Sequence, residues 1–415
     1  MISKRYNHTF RFLRPFFRVY NRVALGLRAV PDPELAPGQP AIIMANHVNN
    51  LDPFYLASGF RRPVFYVASD HIFRLGLISK IITWLVAPIP IVKSHVDLRT
   101  LRTIHSRIND GAIIGLFPEG NRNFNGLSGS IPASTGKLIR QMKATVLIYK
   151  IRGGYLTSPR WCRHSRKGSI TVELSRRLEP DELATLKPEE INRIIEQNIS
   201  VDAYADQRNH PVRYRGRRLA EYLERALFVC PKCHGLDTLR SHDDLFNCSC
   251  GLSVRFNEMG FFEPVDSWSA GQMADGVFIG TVAAWDIWQR DILPFLLEKQ
   301  EGIDLSGQTP IFTDSDEALV DCERAERSVV LDHGRFALYA DRFEFDGQQT
   351  GKRVFPLEKL DRVIVLGAQI LQFSETGGQV YEMRTKKARS AYKYVILYYM
   401  LMQRIRGEAH GFFGF

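Results

Sequence analysis

His47 and Asp52 are the pair in this chain whose types and spacing first suggest chemistry. A buried aspartate that takes a hydrogen bond from one imidazole nitrogen fixes the tautomer and leaves the other nitrogen basic. Such a pair can take the proton from an alcohol as it attacks a thioester carbonyl, a contribution of roughly 10²–10⁴ in rate. The same residues also read as plain structure. Asp52 before Pro53 makes a good N-cap, and with 11 histidines in the chain one such spacing can arise by accident. A second group follows at Phe117-Pro118-Glu119-Gly120-Asn121-Arg122. Pro118 ends the apolar run before it, Gly120 permits close approach of a ligand, and the planar fork of Arg122 suits a phosphate. A solvated turn with incidental charges has the same composition.

The cysteines carry a more specific pattern. Cys230 and Cys233, then Cys248 and Cys250, form two knuckles with 14 residues between them, and Gly235 and Gly251 follow closely. That spacing suits a tetrahedral four-thiolate zinc site and resembles a zinc ribbon. A closed shell of four sulfurs is structural and leaves no open position for substrate, so nearby His234 and His242 are not needed. Cys162 and Cys322 read as small buried residues.

Stepping along the chain supplies the elements that must hold these groups. Residues 40–45 are a short apolar run ending at Asn46-His47, consistent with a buried strand, and Asp52-Pro53 opens a helical pattern to about residue 59. Further strand patterns lie at 64–68, at 112–117 and, after a helical stretch at 136–143, at 146–151. Strands alternating with helical segments predict an α/β domain over roughly residues 30–175. Ligands bind outside the carboxyl ends of strands in open α/β sheets, which is where His47, Glu119 and Arg122 fall. A charged helical region spans about 179–227. From residue 328 come short alternating runs punctuated by Asp346-Gly347 and Gly377-Gly378, then a helical stretch at 388–405 with Tyr392, Tyr394, Tyr398 and Tyr399. Strands closed by one helix resemble a pleckstrin-homology-like roll, with the helix as core rather than membrane anchor because Lys393 and Arg404 interrupt it.

The formal net charge of +10 favours anionic partners such as lipid surfaces, nucleic acid or acidic carriers. Lys4, Arg5, Arg11, Arg14, Arg18, Arg22 and Arg28 crowd the first 28 residues, with no acidic residue among them. At about 3.6 residues per turn, Arg11, Arg14, Arg18 and Arg22 share one stripe. Phe12, Leu13, Phe16, Phe17, Val19, Tyr20, Val23 and Leu27 cover the opposite face, the layout of a helix lying in a membrane interface. Pro15 suits the first turn of a helix starting there, and an ordinary amphipathic helix packed on its own domain fits the pattern too. Residues 75–92 are too interrupted by Lys80, Pro88 and Pro90 to span a bilayer, and the N-terminus lacks a secretory signal's apolar core and cleavage site. With cysteines reading as metal ligands, a peripheral or monotopic position on the cytoplasmic face of a membrane is expected. The basic charge clusters on an aromatic helix rather than around the knuckles, which argues against nucleic acid as partner.

Asn46-His47-Val48-Asn49-Asn50-Leu51-Asp52 together with Phe117-Pro118-Glu119-Gly120 resembles the glycerolipid acyltransferase family that includes 1-acylglycerol-3-phosphate acyltransferases, over roughly the first 200 residues. The resemblance implies His47 as general base and Asp52 as its partner. It implies Glu119, Gly120 and Arg122 at the acceptor's glycerol phosphate, and it places a phosphate-binding Lys93 at the end of a second block, residues 87–93. It further implies a lysophospholipid acceptor such as lysophosphatidic acid and acyl-CoA or acyl carrier protein as donor. Asn121 stands where the family usually has threonine, Lys93 where it has arginine, and Asn49 where it often has serine; residues 146–149 lack the fourth block's proline. These departures blur the acceptor. An acyltransferase for another lysophospholipid or alcohol is the alternative, and a non-catalytic lipid-binding scaffold is another, though binding alone needs neither His47 nor Asp52.

The expected architecture is therefore an α/β acyltransferase domain, a mixed sheet with flanking helices, followed by a zinc ribbon and a β-rich C-terminal domain closed by a helix. The expected boundaries are 1–28 for the basic helix, 29–227 for the acyltransferase domain with its helical extension, 228–265 for the zinc-ribbon-like module and 266–415 for the β-rich domain.

Overall fold

The basic N-terminal segment forms one helix, α1 (Lys4–Leu25), with Pro15 inside it rather than at its start. The apolar run that follows forms β1 (Ala41–Ala45), buried at every residue. After it come α2 (Asp52–Ala57), β2 (Val64–Ser69), α3 (Leu77–Val86), β3 (Ile89–Ile91), α4 (Leu98–Asn109) and β4 (Ile113–Leu116). The order continues with α5 (Ser134–Met142), β5 (Thr145–Arg152), α6 (Gly154–Thr157), β6 (Thr171–Leu178), α7 (Pro180–Thr185), α8 (Pro188–Ile199) and α9 (Ala203–Asn209). This computed structural model describes residues 4–28, 30–69, 77–91, 98–299, 303–324 and 327–407. Two compact units result, one of Met1–Arg160 and Ser165–Arg215, the other of Trp161–His164 and Gly216–Phe412.

In the first unit the strands form one mixed sheet in the order β3-β2-β4-β1-β5-β6. Its first five strands pair in parallel and β6 runs antiparallel to β5. β1 sits in the middle, between β4 and β5, so its end is enclosed by two neighbours. One face of the sheet buries Ile42, Met44, Ile114, Val146 and Ile148 against Ile104 and Ile108 of α4, Ile139 of α5 and Ile191, Ile195 and Ile199 of α8. The four-residue spacing on α8 aligns its isoleucines on one stripe, each contributing roughly 1.5–3 kcal/mol on burial. The helical region expected to residue 227 ends at Asn209, apart from a short 3₁₀ turn at Leu223–Arg225. β6 carries too many charges to stand out as a strand, TVELSRRL, and pairs at the sheet's edge.

In the second unit β7 (Leu239–His242), β8 (Leu245–Cys248), β9 (Ser253–Phe256) and β10 (Phe262–Pro264) form a four-stranded meander. Two helices follow, α10 (Ser267–Ala274) and α11 (Val282–Lys299). Trp285 of α11 donates its indole N–H to the Val229 carbonyl at 2.9 Å and packs edge-on against Phe246 and Phe262. The seven remaining strands are β11 (Phe312–Arg324), β12 (Arg327–Leu338), β13 (Arg342–Gly347), β14 (Gly351–Pro356), β15 (Leu360–Leu366), β16 (Ile370–Glu375) and β17 (Val380–Arg384). They make an antiparallel sheet in the order β14-β13-β12-β11-β17-β16-β15, closed by α12 (Ala391–Arg406). Tyr392, Tyr394 and Tyr398 of α12 are buried, so this helix is core. Lys393 among them is fully buried as well, its ammonium 2.9 Å from both Asp237 and Asp314.

Candidate active site

The site begins where β1 ends. Asn46 is buried, and its side-chain amide donates to the Ile151 carbonyl (2.9 Å) and accepts from the Ile151 N–H (2.8 Å). A side chain thus continues the β1–β5 ladder past its last backbone pair, Ala45 with Tyr149, and sets the direction in which the chain leaves the sheet. The next residue is His47. Its Nδ1 lies 2.8 Å from Oδ2 of Asp52, which also accepts the Val48 and Asn49 N–H groups at 2.7 and 2.9 Å. A carboxylate only accepts, so Nδ1 carries the hydrogen and Nε2 carries the lone pair. Asp52 is fully buried while the imidazole is 23% exposed, which leaves the basic ring approachable by a substrate.

The N-cap reading of Asp52 does not hold. Leu51 occupies the N-cap position of α2, and the Asp52 carboxylate turns back onto the 47–49 turn instead of onto the amides of its own helix. Asn49 completes the turn. Its Oδ1 accepts from Leu51 N–H at 2.7 Å, and its Nδ2 reaches the Gly154 carbonyl at 3.3 Å. That approach needs glycine at 154, because a Cβ there would stand 2.7 Å from Val48 Cγ2.

The second group joins the first through backbone. Glu119 is buried, with Oε1 accepting the His47 N–H at 2.7 Å and Oε2 accepting the Gly129 N–H at 2.8 Å. It therefore ties the His47 turn to the loop after β4. Phe117 stacks on the imidazole, ring centroids 4.3 Å apart and planes 19° from parallel, and so holds its plane. Gly120 turns the chain with φ +70°, a conformation that favours glycine, and no neighbour approaches its Cα face. Arg122 is half-buried with no side-chain hydrogen-bond partner among the described residues. Burial lowers its pKa to about 10 and the charge of Asp52 acts the other way, so it stays cationic at neutral pH. Arg160 donates to the Arg122 carbonyl and lies 4.1 Å over the Phe124 ring, bracing that loop. Lys93 falls outside the described residues; the strand before it, β3, ends at Ile91.

Burial pushes the Glu119 carboxyl up to about 8, against the pull of the Gly129 and His47 amides, with the Asp52 charge adding to the rise. The folded chain thus keeps a proton that the unfolded chain gives up from about pH 4.5. The stability this contributes is full below that pH and is lost as pH rises to about 8. We expect the urea midpoint of the wild type to fall across this window, and that part of the slope to vanish in Glu119→Gln. Parallel pH profiles of the two proteins would remove Glu119 as the titrating group.

In the second unit the sulfur atoms of Cys230, Cys233, Cys248 and Cys250 all lie within 4.8 Å of one another, a cluster able to hold a metal ion. The turns at β7–β8 and on either side of it bring the two knuckles together, and Gly235 N–H points at the Cys233 sulfur at 3.4 Å.

Asn46, Asn49 and Phe117 stand in the sequence motifs without an assigned role, and Gly154 lies outside them. Their partners stand up to 105 residues away along the chain, and only the sheet brings them into reach.

Residues 27–152 match the family model described as Acyltransferase. That segment is a domain of the acyltransferase family, and it contains His47, Asp52, Glu119 and Arg122. Among solved structures the chain is similar to the 1-acyl-sn-glycerophosphate (LPA) acyltransferase PlsC from Thermotoga maritima, with 18% sequence identity, 48% of this chain and 81% of that chain covered, and a TM-score of 0.39. No curated protein matches the chain.

Proposed function

We propose that this chain moves a fatty acyl group from acyl-CoA or acyl carrier protein to the free hydroxyl of lysophosphatidic acid, giving phosphatidic acid. The observation that carries the reading is the His47–Asp52 pair, hydrogen-bonded at 2.8 Å at the end of the central strand of an acyltransferase-family domain. His47 Nε2 takes the proton of the acceptor hydroxyl as its oxygen bonds to the thioester carbonyl carbon. Asp52 stabilises the imidazolium that forms. Collapse of the tetrahedral intermediate breaks the carbon–sulfur bond, and the thiolate leaves with the proton from His47. Glu119 holds the backbone of His47 in register, and Arg122 binds the acceptor phosphate. The departure at Asn121 keeps a different lysophospholipid acceptor as the second reading.

Arg122→Ala is expected to raise the acceptor's half-saturation concentration roughly 10- to 100-fold, the worth of a lost charge-assisted hydrogen bond, with the thioester's hardly changed. Equal effects on the two would undo the phosphate assignment. The test of the whole reading is transfer by purified protein in liposomes from both donors to a panel of lysolipids. Transfer to an acceptor without phosphate, at the same rate, would overturn the substrate.

The four-cysteine cluster fits zinc. A zinc–sulfur distance of about 2.3 Å spaces tetrahedral ligands about 3.8 Å apart; the Cys230–Cys250 and Cys233–Cys248 sulfurs stand 3.7 and 3.8 Å apart. Bound there, the metal would staple the meander; a four-thiolate shell supplies no catalytic ligand position.

We also propose that α1 seats the chain on a membrane surface. Among the described residues no helix is long and apolar enough to cross one. The apolar residues of α1 divide in two in the structure. Phe17 stacks on Phe54 with ring centroids 4.8 Å apart, whereas Phe12, Phe16 and Val23 are 63–68% exposed along one stripe. Val19 and Tyr20 extend that stripe.

A further inference from the structure

Arg11, Arg14, Arg18 and Arg22 of α1 share one side of the helix, apart from the exposed apolar stripe. There they meet a second element. Arg11, Arg14 and Arg18 line one wall of a groove of about 640 Å³, and Arg61 and Arg62, from the turn between α2 and β2, line the other. Five arginines thus line one space. Three of them have structural partners. Arg14 donates to the Ser58 carbonyl at 3.3 Å, Arg62 to the carbonyls of Gln39 and Gly111 at 2.5 and 3.0 Å, and Arg61 pairs with Asp32 at 2.7 Å. Arg11 and Arg18 are exposed and have no ion-pair partner among the described residues. Burial and the charges of Arg18 and Arg61 hold Arg14 below its usual range, with Asp32 opposing them. One carboxylate for five cations leaves the groove short of negative charge.

We infer that this groove is a binding site for the phosphate of an anionic phospholipid, held between Arg11 and Arg18 of α1 and Arg61 of the α2–β2 turn. The inference rests on the proposal that α1 lies on a membrane. It is argued from the helix's own geometry, since an apolar stripe sunk below the headgroups carries the neighbouring arginine stripe to the level of the phosphates. A planar fork binds a phosphate with paired hydrogen bonds, and several forks around one space specify an anion rather than merely attracting one. The occupant is a lipid headgroup rather than a free phosphate because the exposed stripe and the groove share one helix, so the two contacts are made together.

The experiment is co-sedimentation of the full chain with phosphatidylcholine vesicles, with and without phosphatidic acid. Arg11→Gln/Arg18→Gln is expected to bind the anionic vesicles about 30-fold more weakly, the loss of two cations at the surface. Lys143→Gln/Arg193→Gln removes the same charge from exposed positions outside the groove and should cost less than about threefold, as screened long-range attraction does. Phe12→Ser/Phe16→Ser should weaken binding to both vesicle types alike. Equal losses in the two charge variants would overturn the groove, and unchanged binding by the phenylalanine variant would overturn the geometry that places it. Saturable binding of inorganic phosphate alone, without vesicles and below about 1 mM, would make it a free-phosphate site and sink the headgroup assignment. Acyl transfer to a detergent-dispersed acceptor should be unchanged in Arg11→Gln/Arg18→Gln. A chain that binds vesicles through the groove yet transfers no acyl group leaves this inference standing and removes only the proposed reaction.

Discussion

His47→Ala is expected to lower turnover by roughly 10²–10⁴, the share a positioned general base supplies, while the circular dichroism spectrum and melting midpoint stay near wild type. The fold should survive because the ring is partly exposed and the contact that locks this turn to the rest of the sheet is the His47 N–H to Glu119, a backbone bond that alanine keeps. Asp52 differs. Its Oδ2 holds His47 and two backbone amides at once, so Asp52→Ala loses the turn as well as the tautomer. Asp52→Asn is the cleaner companion, since it keeps the volume and removes the charge that stabilises the imidazolium. Turnover of His47→Ala within a few-fold of wild type would remove His47 as the base and leave the non-catalytic scaffold as the better reading. A measured rate against each of the two donors guards against a defect in donor binding alone.

The second large effect concerns the cysteines. Metal analysis of the purified chain should give about one equivalent of zinc per chain, as a four-thiolate site binds one ion. Stripping it with a strong chelator should unfold the β7–β10 meander, because a metal bound only in the folded state contributes its binding energy to folding, an apparent ~10–16 kcal/mol in isolated fingers. Trp285 packs on Phe246 and Phe262 from that meander, so its fluorescence should report the loss. Cys248→Ser should mimic the stripped protein without any chelator. A chain with no metal, folded and indifferent to chelation, would sink the zinc assignment; the four sulfurs would then be reduced thiols that merely lie close.

Much of the α/β unit was legible beforehand, for one physical reason: central parallel strands are buried on both faces and write themselves as unbroken apolar runs. AIIMA at β1, IIGL at β4 and most of TVLIYKIR at β5 are of that kind. Strands that carry charge are not. β6, at the edge of its sheet, alternates charge with apolar residues, and β11, in the middle of the seven-stranded sheet, has Asp314, Asp316, Glu317 and Asp321 along it, so neither pattern reads as a strand. The acidic residues of β11 are tolerated for reasons the sequence cannot display. Glu317 is buried against Arg389, paired through both carboxylate oxygens, and Asp314 meets buried Lys393 and the hydroxyl of Tyr394. The alternating pattern that starts at residue 328 is broken in sequence by Asp332, His333 and Gly334, yet Arg327–Leu338 form the single strand β12, and the turn at 348–350 folds back onto Asp332.

For the site, the division follows the reach of each interaction. Local spacing by itself determined which residues could meet: His47 and Asp52 are close enough along the chain for one turn to join them, and two cysteine knuckles each form within four residues. Composition likewise determined that the first helix carries arginines on one side and aromatic rings on another. Only the tertiary structure decided how those groups are used. Whether Asp52 caps its helix or turns back to the histidine depended on where β1 delivers the chain. Asn46 sets that direction by binding a strand 105 residues away. Glu119, which composition offers as a charge in a loop, became a buried brace between two turns because the sheet places β4 beside β1. The rings of α1 likewise separated into packed and exposed sets only when α2 arrived to cover Phe17 and leave Phe12 and Phe16 bare. Short-range geometry is written in the spacing of residues, whereas burial and pairing across the sheet exist only once distant segments meet.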